Sequence, residues 1–120
     1  KSSEQILYFD SLGIRRYHSL IPHCSFLIGN SSSGIFEAPY FKTPTINIGD
    51  RQKGRFMHKS IVSTDYSVNS IKEGIDNIIK RNFNSEIEDM KYQFGDGNAS
   101  EIAMSFLEKL TIDKNLLRKI

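Results

Sequence analysis

A chain of 120 residues with 38% hydrophobic and 25% charged residues has the length and composition of one soluble globular domain with a modest core. Its formal net charge of +2 is too small to argue for nucleic-acid binding, and no apolar run approaches the length of a membrane span. The single cysteine, Cys24, excludes an internal disulfide framework, and with three scattered histidines it forms no metal-ligand spacing, so neither metal nor cofactor is expected.

In chain order, residues 5–9 (Gln-Ile-Leu-Tyr-Phe) read as a short strand and residues 10–13 as the loop that ends it. Ile14, Tyr17, Leu20 and Ile21 recur at helical spacing opposite Arg15, Arg16 and Ser19, which predicts a helix over about 14–23 shortened by Pro22. Cys24 is expected as a buried small residue at that helix end, and His18, His23 and His58 as surface or helix-end residues. A lone cysteine and the lack of a leader-like start fit a cytoplasmic protein.

Residues 26–28 form the next strand, and residues 34–41 a helix that Pro39 kinks and Lys42-Thr43-Pro44 breaks. Strands follow at 45–48 and 60–64. Val68, Ile71, Ile75, Ile78 and Ile79 share one face of a helix over 68–80. Residues 82–84 are a break, residues 86–92 a short helix, and Gly95-Asp96-Gly97-Asn98 a turn into a helix over 99–110, with Leu116-Leu117 in a last helical turn. Strand–helix alternation at this spacing predicts an α/β domain with a parallel sheet, closed by C-terminal helices.

Two stretches carry the chemistry. Gly29-Asn30-Ser31-Ser32-Ser33-Gly34-Ile35-Phe36-Glu37-Ala38-Pro39 lies where a strand passes into a helix, where N–H groups without intrahelical partners, hydroxyls and a close-approaching glycine suit a phosphate. Glu37, one turn on, is an acceptor suited to a ribose diol. In Asn47-Ile48-Gly49-Asp50-Arg51-Gln52-Lys53-Gly54-Arg55 a second strand ends in a basic loop, and Arg51 and Arg55 fit oxyanion recognition. The positive excess sits in this half, since residues 1–60 carry eight Lys/Arg against four Asp/Glu and residues 61–120 eight against ten.

Each residue has an ordinary alternative. The serines also suit a polar helix cap, Glu37 a helix dipole, Tyr17 a place in the core, and residues 95–100 a junction capping two helices. The absence of aromatic interleaving around the basic loop counts against nucleic acid.

These stretches, with Pro44-Thr45-Ile46 before the second and Gly95-Asp96-Gly97-Asn98-Ala99-Ser100 after it, resemble the C-terminal part of the UDP-N-acetylglucosamine 2-epimerases. The likeness is to the hydrolysing branch of bacterial sialic-acid and capsule biosynthesis, in which the Asn-Ile-Gly-Asp-Arg-Gln-Lys-Gly-Arg segment matters most. It implies a partial Rossmann-like sheet from the C-terminal domain of a glycosyltransferase-B fold, with residues 1–120 as one partial UDP-binding domain of a two-domain enzyme. Ser31 and Ser32 would then contact the diphosphate, Glu37 the ribose hydroxyls, Tyr17 would lie near the uracil, and Arg51 would face the phosphates or the sugar-side cleft, with Ser33, Gly34 and Arg55 as further UDP-binding candidates. No catalytic residue carries over. The implied partners are UDP or UDP-N-acetylglucosamine, the N-terminal domain of the parent, and further copies in a homo-oligomer, with no nucleic acid or membrane. The implied strand order also leaves the strand at 5–9 without neighbours, so the chain is expected to associate. A related glycosyltransferase domain and a non-catalytic interaction module are the alternatives.

Overall fold

The computed structural model describes residues 6–80 and 83–111. Helix α1 (Gly13–Leu20) continues into a 3-10 turn (Ile21–His23) at Pro22 and leads to strand β1 (Leu27–Gly29). Helix α2 (Ser33–Phe36) precedes strands β2 (Thr45–Ile48) and β3 (Ile61–Thr64), and helices α3 (Val68–Lys80), α4 (Phe83–Glu88) and α5 (Ala99–Glu108) follow.

The three strands form one parallel sheet in the order β1-β2-β3, with Ile28 opposite Ile46 and Ile46 opposite Val62. The fold class is therefore the α/β one expected, a small Rossmann-like arrangement. Side chains alternate across a strand, and β2 shows the two consequences. Ile46 faces α3 and α4, where it joins Ile78, Phe83 and Ile87 in a buried cluster flanked by Phe26, Ile48, Val62, Ile75 and Met90. Thr45 faces the other layer, where it meets α2.

Glycine makes both close approaches. A Cβ on Gly34 would stand 2.6 Å from Thr45 Cγ2, and one on Gly74 2.8 Å from Thr64 Cγ2, so each glycine lets its helix lie directly on the sheet. The α2 side is pinned by Ile35 and Ala38, both fully buried, and by the Thr43 hydroxyl, which donates to Ile21 O at 2.9 Å.

Several expectations need correction. Residues 6–9 form no strand and are exposed, Ile6 at 77% and Tyr8 at 84%; residue 5 lies outside the described residues, as do Leu116 and Leu117. A strand exists only where a neighbour completes its ladder, and β1, whose Ile28 is half exposed, pairs with β2 alone. Helix α2 is one turn rather than two, since residues 37–42 continue as turns around Pro39, with Thr43 N–H reaching Ala38 O at 3.0 Å. Helix α4 starts earlier than predicted and ends at Glu88. Cys24 is exposed instead of buried. No described helix is long and apolar enough to cross a membrane.

Candidate functional site

The serine turn sits at the carboxyl end of β1, the side of a parallel sheet on which ligands bind. Its local hydrogen bonds differ from the expected open helix end. Ser33 N–H is capped by Ser31 Oγ at 3.3 Å, Gly34 N–H turns to Ser31 O, and the amides of Ile35 and Phe36 to Ser32 O. With those amides engaged and only four residues in α2, the hydroxyls become the turn's outward donors. Ser32, at the N-cap position, is exposed, and its hydroxyl makes no hydrogen bond among the described residues.

Behind the turn, four side chains from two elements meet. Ser33 Oγ donates to Glu37 Oε2 at 2.8 Å, His18 Nε2 lies 3.0 Å from the same oxygen, and Tyr17 OH lies 2.5 Å from Ser33 Oγ. Tyr17 and His18 are consecutive on α1, so one turn of that helix presents both to Glu37 and Ser33. Tyr17 also lines a cavity of about 200 Å³ with Leu27, Ile28, Gly29, Ser31, Gly34 and Thr45.

The basic loop between β2 and β3 crosses beside the turn. Arg51 Nη1 lies 3.5 Å from Asn30 Oδ1, and the buried Gln52 donates from Nε2 to Asn30 O at 2.7 Å. Gln52, absent from the expected site, is the firmer of the two ties. Its position within the Asp50-Arg51-Gln52 run was the only sequence signal available for it. Arg55 goes elsewhere, its guanidinium 5.1 Å above the Phe36 ring on the far end of α2.

His58 differs most from expectation, being 3% exposed. Its ring stacks on Tyr92 at 5.4 Å and 9°, and meets the edges of Phe56 and Phe94. Burial pushes its pKa below the usual histidine value, and Nε2 accepts Gln93 N–H at 3.1 Å, so the ring is neutral with its proton on Nδ1. The Tyr92 phenol, raised first by burial and then by the Glu37 charge, stays protonated and donates to Phe36 O at 2.7 Å. Phe36 also meets Phe94 at 4.7 Å. This aromatic cluster therefore ties Tyr92 and Phe94, just before the Gly95–Asn98 turn, against Phe36 at the end of α2 and against Phe56 and His58 in the connection between β2 and β3.

A family model, "UDP-N-acetylglucosamine 2-epimerase", matches residues 1–108. The chain belongs to that family. Among curated relatives, it is 45% identical over 83 residues to the GDP/UDP-N,N'-diacetylbacillosamine 2-epimerase (hydrolyzing) of Campylobacter jejuni, which covers 69% of this chain and 21% of that protein. It is 41% identical over 73 residues to the UDP-N-acetylglucosamine 2-epimerase of Neisseria meningitidis, 61% of this chain and 19% of that one. The polysialic acid biosynthesis protein P7 of Escherichia coli is 35% identical over 108 residues, 90% of this chain and 28% of its own length. The matched stretches thus span between 19% and 28% of the length of these relatives.

Proposed function

We propose that this chain is the UDP-binding part of a hydrolysing UDP-N-acetylglucosamine 2-epimerase, a cytoplasmic two-domain enzyme whose other domain completes the cleft. The observation that carries the reading is the meeting of Tyr17, Ser31, Ser33 and Glu37 at the carboxyl end of β1, within a chain of the epimerase family. Ser31 and Ser32 hold the diphosphate, with Gly34 seating their turn on the sheet and Arg51 beside them; Glu37, aligned by Ser33, accepts from the ribose hydroxyls; Tyr17 walls the uracil side. Arg55 serves from further off, through its seat on Phe36.

The chemistry explains the choice of groups. Elimination breaks the bond between the anomeric carbon and UDP, and negative charge grows on the departing diphosphate. Hydroxyls and a guanidinium already in place stabilise that charge most as it develops. Water then adds to the unsaturated sugar and releases free N-acetylmannosamine. The chain's part is to hold the leaving group, and the proton transfers fall to the other wall of the cleft.

Two results test this. UDP added to the chain is expected to bind weakly and to shift the amide resonances of residues 31–37, while UDP-N-acetylglucosamine is not turned over; turnover by these 120 residues alone overturns the division of labour. Within the two-domain parent, Ser32→Ala is expected to weaken UDP by about 1.5–3 kcal/mol, the loss of one charge-assisted hydrogen bond. Glu37→Gln should weaken uridine and UDP alike, and unchanged uridine affinity would exclude the ribose role.

A further inference from the structure

His18 stands outside every motif, yet it touches the one carboxylate at the serine turn. A carboxylate only accepts hydrogen bonds, which fixes every proton in the group around it. Ser33 gives its single hydroxyl proton to Glu37 Oε2, so Tyr17 must donate to Ser33, and His18 donates from Nε2–H to the same Oε2. Oε2 thus takes two donors, while Oε1 takes none among the described residues. The group is half open to solvent, with the His18 and Glu37 side chains 37% and 40% exposed. An ion pair this exposed adds little to stability, but two donors converging on one oxygen set the rotation of the carboxylate and leave the other oxygen free.

We propose that His18 is a positioning residue for ribose recognition: by holding Oε2 it presents Glu37 Oε1 to the nucleotide's hydroxyls, and so sets the preference for a ribonucleotide over a deoxyribonucleotide. The inference rests on the ribose role proposed for Glu37 above. Ser33 is on the same helical turn as Glu37 and moves with it, whereas His18 comes from α1 and anchors the carboxylate to a separate element.

The test is a titration of the chain with UDP and with 2′-deoxy-UDP, followed by NMR. The unmodified chain is expected to prefer UDP by about tenfold, the equivalent of one good hydrogen bond. In His18→Ala that preference should fall to about twofold through loss of UDP affinity, with 2′-deoxy-UDP affinity nearly unchanged. In His18→Gln, whose amide reaches the place of Nε2–H, the preference should return. His18→Leu, which keeps the apolar contact with Phe41, replaces the alanine variant if that one unfolds. A purely structural role would lower both affinities together and leave their ratio intact. A full preference in folded His18→Ala or His18→Leu overturns this inference alone, whereas equal affinities in the unmodified chain overturn the ribose role and this inference with it.

Discussion

Ile46→Ala is expected to lower the urea midpoint of the chain more than any other single truncation of a side chain on the sheet. Ile46 is fully buried at the centre of the middle strand, and it is the sheet's contribution to the cluster with Ile78, Phe83 and Ile87. Cutting a buried isoleucine to alanine removes transfer free energy and leaves a cavity, about 2–5 kcal/mol in all. Among the described residues only seven hydrophobic side chains are buried, so this loss approaches the whole stability of a small domain, roughly 5–15 kcal/mol. Ile28→Ala is the control: on the half-exposed edge position it should cost about 1 kcal/mol or less. Equal midpoints for the two variants would show that the cluster around Ile46 is not the core that holds the sheet.

Gly34→Ala is expected to damage both stability and nucleotide binding. The added methyl would stand 2.6 Å from Thr45 Cγ2, a contact that cannot persist. Thr45 cannot easily yield, because it is β-branched, 3% exposed and on the central strand. The serine turn must lift off the sheet instead, at a cost of about 1–3 kcal/mol for overpacking, and Ser31 to Ser33 move with it. Thr45→Ser deletes the offending methyl, so the double variant should recover much of both losses. Additive losses in that cycle would mean that the turn is not seated on Thr45.

The parts of the molecule that were legible in the sequence are those governed by local pattern. The isoleucines of α3 and the apolar run of β2 specify their elements within a few residues, and the serine turn announces itself by composition. What stayed hidden depends on partners distant in the chain. Residues 6–9 have the composition of a strand, but among the described residues no strand pairs with them and they are exposed. His58 looks like part of a solvated basic loop, and only the return of Tyr92 and Phe94 from 34 and more residues away buries it. Likewise His18 and Glu37 are 19 residues apart, with a strand between them, and nothing in their spacing joins them. The candidate residues were therefore legible as neighbours along the two loops, while the direction of Arg55 toward Phe36 and the donors to Glu37 were not.

The connection between β2 and β3 has no helix, although the two strands run parallel side by side. Residues 49–60 must therefore carry the chain from the carboxyl end of one strand back to the amino end of the next, a return that usually takes a dozen residues or more. Arg51, Gln52 and Arg55 lie on that crossing and not on a loop hung from a finished frame. Lengthening the exposed turn at Gly95–Asn98 is expected to have little consequence, whereas deleting residues from 49–60 is expected to pull β3 out of register. The same segment that sets Arg51 beside Asn30 is the one that measures the distance between strands, so its length is held by the fold even where its side chains are free to change.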